Sequence, residues 1–228
     1  MESETNNEGY SILKGYNMLL YFAGTMIMYE PAEECIADFW AQGILKNLPV
    51  SSTNPNFIRA ASQLRESCID KNICGRMMQE DYFRLFTREH IPLAPPFESS
   101  FRNKIIPEKG HYDVNVTDFY SSYGWVSNFR DKIQDDHLGI ELLFLTRLIE
   151  NYLTLDDEAC QGEMRNEIRR FINQHIMSWI PEWNEKIQIH SKTLCYKGIG
   201  SLIYACVEDI NALFAMTAAP DTHGMLKN

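Results

Sequence analysis

The chain has 228 residues, 45% of them apolar and 23% charged, with a formal net charge of -10. That composition suits a globular protein with a sizeable core and excludes a disordered chain. The acidic balance argues against general nucleic-acid binding, which requires a basic footprint.

No basic segment followed by an apolar run opens the chain, so no signal peptide is read. The most apolar stretch, Leu19 to Met28, is too short to span a bilayer. The six cysteines, at 35, 68, 74, 160, 195 and 206, include no C-x-x-C pair. Without an export signal they are expected to be reduced and mostly buried, in a soluble cytoplasmic protein.

Residues 1–9 are expected to form a frayed tail. Leu13, Tyr16, Leu20, Ala23 and Ile27 recur at helical spacing and predict a helix from Tyr10 to Tyr29. A second helix restarts at Pro31 and runs to Gly43, a C-cap. Two more are predicted over Asn56–Ile69 and Arg76–Thr87. The run Ile91-Pro92-Leu93-Ala94-Pro95-Pro96-Phe97 cannot be helical, because each proline removes a donor and extends its predecessor. It is expected to hold Phe97 out on a stiff arm, a device suited to recognition. Ser99 and Ser100 can cap a short helix after it.

A break follows at 107–111, then a helix from Asn115 or Asp118 through Tyr120, Tyr123 and Trp125. The central helix is predicted over Asp136–Thr154, entered through Asp135-Asp136-His137. Its Leu138, Leu142, Leu145, Leu148, Ile149 and Tyr152 share one face, with Glu141 inside that apolar arc and His137 at its border. Asp156 and Asp157 cap the next helix, which presents Met164, Ile168, Phe171 and His175. Pro181 interrupts, and a long last helix covers Lys192–Ala215. The fold class is therefore all-α, about nine or ten helices around a central buried helix. A single domain is expected over 1–228. Its halves, about 10–101 and 116–216, meet at a hinge near 102–115, and 217–228 form a second tail.

No H-E-x-x-H, G-x-S-x-G or phosphate-binding glycine loop is present, so no catalytic residue is proposed. His137 and Glu141 stand at i, i+4, a two-ligand geometry that Asp136, Asp135, His90 or His111 would have to complete. A helical metal-dependent hydrolase using Asp136, His137 and Glu141 is thus an alternative. The plainer reading makes Asp135 or Asp136 the helix cap and Glu141 the buried partner that orients His137.

Several motifs in order carry a resemblance: Tyr82-x-x-Leu85-Phe86, Pro95-Pro96-Phe97-Glu98-Ser99, Tyr120-x-x-x-Gly124 and Asp136-His137-Leu138-x-x-Glu141-Leu142-x-Phe144-Leu145. Together they resemble the TorD/DmsD/NarJ family of cytoplasmic chaperones for complex redox enzymes. Ile133 and Gln134 stand where that family commonly has Glu-Pro, and Tyr82 and Phe97 where it often has Trp. The resemblance implies an all-helical non-enzyme without cofactor or metal. Such a protein binds the twin-arginine leader of a molybdopterin-dependent oxidoreductase subunit and holds the subunit until its cofactor is inserted, before export. Leader-binding residues would be Tyr82, Leu85, Pro96, Phe97, Gly110, Asp136 and His137, supported by Glu98, Asp135 and Glu141. The implied partners are the leader and the catalytic subunit, with no nucleic acid and no stable membrane insertion, the chaperone being a monomer or a domain-swapped dimer.

The residues suit that task. Two guanidinium groups need carboxylates beside an apolar groove. Asp135, Asp136 and Glu98 offer charge; Tyr82, Leu85, Phe97 and the Leu138 face offer the groove. A helical scaffold without peptide specificity is the remaining reading, favoured if Phe97 is buried and no such groove exists.

Overall fold

The computed structural model describes residues 2–32, 47–67, 71–87, 91–102 and 115–216. The second helix expected up to Gly43 and the break at 107–111 fall outside these residues. The described residues hold nine α-helices and no strand: α1 (Glu2–Met28), α2 (Pro55–Arg65), α3 (Lys71–Phe86), α4 (Ser99–Arg102), α5 (Val116–Ser122), α6 (Leu138–Leu153), α7 (Glu158–Phe171), α8 (Ile180–His190) and α9 (Leu194–Met216). The all-α class is confirmed. The N-terminal residues expected to fray are helical from Glu2 onward.

Local chemistry sets several of the boundaries. The Asn54 side chain accepts from the Asn56 N–H, with Pro55 in the first turn of α2, where its missing donor costs nothing. Asn115 opens α5 in the same way, and α5 stops at Gly124, whose φ of +60° a β-carbon would strain. Asp157 caps α7 by accepting from the Cys160 N–H at 2.8 Å. Where an uninterrupted helix was predicted through His175, α7 instead widens into a π turn, Ile172–Ile176. The interruption expected at Pro181 is present: residues 177–179 form a turn and α8 restarts at Ile180 with Pro181 in its first turn.

α6 is the centre of the molecule. Leu138, Ile140, Leu142, Phe144, Leu145, Leu148 and Ile149 are all fully enclosed. It packs along α1 on one side and α7 on the other, while α9 packs along α2, α1 and α8. Phe144 sits in a ring of aromatics from α5, its following loop and α7: Phe119, Tyr120, Trp125 and Phe171 lie at centroid distances of 4.7–6.0 Å. These contacts hold α5 against the core.

α9 is, by length and composition, apolar enough over Leu194–Ala215 to cross a membrane, but most of that stretch is buried inside the protein. It is a core helix, and it exceeds Leu19–Met28 as the longest apolar segment. It crosses α2 closely at Gly198, where a β-carbon would lie 2.7 Å from Leu64 Cγ and 3.2 Å from the Leu64 N. Gly198→Ala is therefore expected to push α2 and α9 apart and cost about 1–3 kcal/mol, read as a lower urea midpoint at unchanged m-value.

Among the described cysteines, Cys160, Cys195 and Cys206 are free thiols, and Cys160 is exposed. Cys74 departs from the expectation of reduced cysteines: it is disulfide-bonded.

Candidate functional site

The proline arm does not project. Leu93 and Ala94 donate their N–H groups to the carbonyls of Arg84 and Leu85, and Leu138 N–H donates to the Pro96 carbonyl at 2.8 Å. Glu98 N–H donates to the Asp136 carbonyl at 3.0 Å, completing an isolated bridge between Phe97 and His137. The Phe97 ring meets the His137 imidazole edge to face at 5.2 Å. The prolines leave few N–H groups in the arm; those of Leu93 and Ala94 fasten it to the end of α3, and that of Glu98 fastens it to the entrance of α6. Phe97 is half-buried there, not held out as expected.

The cap of α6 is His137, not Asp135 or Asp136. Its Nδ1 accepts from the Gly139 N–H at 3.0 Å. An acceptor nitrogen must be unprotonated, so the ring is neutral with its proton on Nε2. Burial pushes its pKa down to about 4, against a smaller opposing pull from Asp136. The two aspartates do other work. Asp136 accepts from the Ser99 N–H at 3.2 Å, and the Asp135 carbonyl accepts from the Tyr120 hydroxyl at 3.1 Å.

Glu141 does not orient His137. It is fully buried, and among the described residues neither of its carboxyl oxygens is hydrogen-bonded. The Trp179 indole lies near it but gives its N–H to the His175 carbonyl. Burial, and then the charges of Glu98 and Asp136, push its pKa well above the usual carboxylate range. Glu98 is also enclosed, but it is paired: Arg102 Nη1 lies 3.1 Å from Oε1 and His175 Nδ1 lies 3.3 Å from the same oxygen.

These groups surround a cleft of about 550 Å³. Glu98, Asp135, Asp136, Arg102, Arg130 and Thr117 line it. Arg102 also donates to the Gln174 carbonyl at 2.7 Å, and Arg130 stands 3.8 Å from Asp135. Among the described residues, three carboxylates and two arginines line the cleft. Sequence reading singled out neither arginine, although Arg102 lies one helical turn after Glu98.

The structure thus brings Pro96, Phe97, Glu98, Asp135, Asp136, His137 and Glu141 together. Tyr82 is half-buried, donating its hydroxyl to the Met28 carbonyl at 3.1 Å and packing on Phe83 and Phe86. Leu85 and Leu138 are fully enclosed, so the apolar groove expected from them is not an open surface. Gly110, His90 and His111 lie outside the described residues. Among the described residues no three His, Cys, Asp or Glu side chains converge to hold a metal.

The chain belongs to the nitrate reductase delta subunit family, which it matches over residues 53–185. That span contains the arm, the cleft and α6. Two curated relatives, each named chaperone protein TorD, come from Actinobacillus pleuropneumoniae serotype 3 (strain JL03) and serotype 7 (strain AP76). Each is 35% identical over 86 residues, covering 35% of this chain and 38% of the relative. The chain thus aligns with little more than a third of the length of these relatives.

Proposed function

We propose that this protein is a non-enzymatic, cytoplasmic chaperone for a molybdopterin-dependent oxidoreductase subunit, and that it receives the arginines of the subunit's twin-arginine leader in the acidic cleft. It would hold the subunit until its cofactor is inserted, before export. Family membership and the two TorD relatives support the chaperone role. The observation that carries the leader contact is the placement of Glu98, Asp135 and Asp136 around one open cleft beside the fastened Phe97 arm. Guanidinium groups are planar, weakly hydrated and able to take a carboxylate at two points, which suits them to such a cleft better than an ammonium.

Calorimetry against a peptide carrying the Arg-Arg pair and its Lys-Lys counterpart tests this. The Arg-Arg peptide is expected to bind, with the Lys-Lys form roughly tenfold weaker or worse. Asp136→Asn is expected to weaken Arg-Arg binding about 10–100-fold, equivalent to one charge-assisted hydrogen bond. Absence of heat with any twin-arginine leader, together with failure to retain a reductase subunit, would sink the proposal.

A further inference from the structure

We infer that Arg130 is the cleft's internal substitute for one of the leader's two arginines: it occupies Asp135 in the free protein and must leave that carboxylate before both arginines of the pair are seated. The inference rests on the leader-binding reading and adds to it the residue that sets the balance between binding one arginine and binding two.

The three carboxylates that line the cleft are not equivalent. Glu98 is committed to the fold. Its side chain is only 5% exposed, and its Oε1 lies 3.1 Å from Arg102 Nη1 and 3.3 Å from His175 Nδ1. Arg102 in turn donates to the Gln174 carbonyl at 2.7 Å and so ties α4 to the π turn. An incoming arginine would have to break an enclosed pair to reach Glu98, which is costly because a charge would be left without its partner. Glu98 therefore positions the wall of the cleft.

Asp136 is the opposite case. It is half-buried, one of its oxygens accepts from the Ser99 N–H at 3.2 Å, and among the described residues no cationic side chain pairs with it. Its carboxylate can take a guanidinium without any rearrangement.

Asp135 lies between these extremes. Arg130 Nε stands 3.8 Å from its Oδ2, beyond hydrogen-bond reach, and the Arg130 side chain is 66% exposed. Exposed pairs of this kind contribute little and are given up readily. The backbone beneath is fixed. Arg130 N–H donates to the Ser127 carbonyl at 3.3 Å, and the Lys132 and Ile133 N–H groups both donate to the Phe129 carbonyl at 2.8 Å. Freeing Asp135 thus needs a new Arg130 rotamer and no movement of the loop.

A ligand with a single arginine takes Asp136 and leaves Arg130 where it is. A ligand with two also needs Asp135, and there one guanidinium is exchanged for another of the same chemistry. The cost of that exchange falls on the second arginine alone.

The test is titration calorimetry with an Arg-Arg leader peptide and with the two peptides in which either arginine is replaced by glutamine. Arg130→Gln is expected to tighten the Arg-Arg peptide about two- to fivefold, the worth of one exposed ion pair, with the gain confined to that peptide. Lys132→Gln removes the same charge from the same loop, but from a side chain that does not line the cleft. At physiological salt it is expected to leave the Arg-Arg affinity unchanged. In an Asp135→Asn background, Arg130→Gln should add nothing, because no carboxylate remains to be contested. Equal tightening by Arg130→Gln and Lys132→Gln overturns the inference, since that is long-range charge alone. So does an equal gain for the single-arginine peptides, a gain that survives Asp135→Asn, or an Arg130→Gln protein that binds the Arg-Arg peptide no better than the wild type. These outcomes defeat only this inference, whereas no binding of the Arg-Arg peptide by any of the proteins defeats the leader-binding reading with it.

Discussion

Asp81→Ala is expected to lower the unfolding free energy by about 3–5 kcal/mol. Asp81 lies on α3 and is fully enclosed. One oxygen accepts from Ser191 Oγ at 2.8 Å and from the Thr193 N–H at 2.8 Å. The Lys192 N–H reaches both oxygens, at 2.9 and 3.1 Å, and Arg84 Nη1 stands 2.6 Å from the second. The carboxylate therefore satisfies backbone donors just before α9 and places negative charge at the positive end of that helix. Alanine would remove the acceptor of the Lys192 N–H and leave Ser191 Oγ, the Thr193 N–H and Arg84 with only their second contacts, to the Thr193 carbonyl, Ser191 Oγ and the His190 carbonyl. Asp81→Asn keeps one acceptor oxygen and turns an amide toward donors, so its loss should be smaller. Urea unfolding of both variants at neutral pH measures this. A loss under about 1 kcal/mol for Asp81→Ala would show that water replaces the carboxylate.

Stability should also fall by roughly 3 kcal/mol through His137 alone as pH drops from about 6.5 to about 4. The imidazole takes up a proton near 6.5 in the unfolded chain, but in the folded protein only near 4, because it is buried. Between those values the unfolded state binds the extra proton. The stability associated with the neutral ring is complete above 6.5, declines as pH falls through that window, and is gone below about 4. The structural reason is the cap: a proton on Nδ1 would remove the acceptor for the Gly139 N–H. Glu141 acts with the opposite sign. Its pKa is raised in the fold, so acidification favours the folded state through it. The total pH dependence therefore mixes the two groups. His137→Asn isolates the first, since asparagine caps a helix without titrating in this range. The wild-type stability should fall relative to this variant on acidification, and parallel curves would disprove the assignment.

Both predictions concern residues whose surroundings come from distant parts of the chain. Asp81 finds its donors more than a hundred positions away, and no periodicity announces such a contact. Sequence reading placed it on a helix and went no further. At the cleft the legible part was larger. The proline-rich arm, Glu98, Asp135, Asp136 and His137 were all picked out, because prolines forbid helix and polar groups at the head of an apolar helix demand an explanation. Their roles were not legible. Capping fell to His137 instead of an aspartate because the bridge to the arm fixes the backbone there and turns the imidazole back onto the Gly139 N–H. Phe97, read as a projecting side chain, is folded against that imidazole by the same bridge.

Local physics determined what the sequence alone could settle. Helical periodicity, proline breaks and Asn or Asp caps gave the all-α class, the central helix and most helix starts, since those depend on residues within a turn or two of one another. The tertiary structure decided the rest. It enclosed Leu85 and Leu138 rather than leaving them as a groove, brought Arg102 and Arg130 to the acids of one cleft, and left Glu141 fully buried in the core. Burial and long-range pairing depend on which helices meet, and that is set by the sum of many weak apolar contacts, not by any motif.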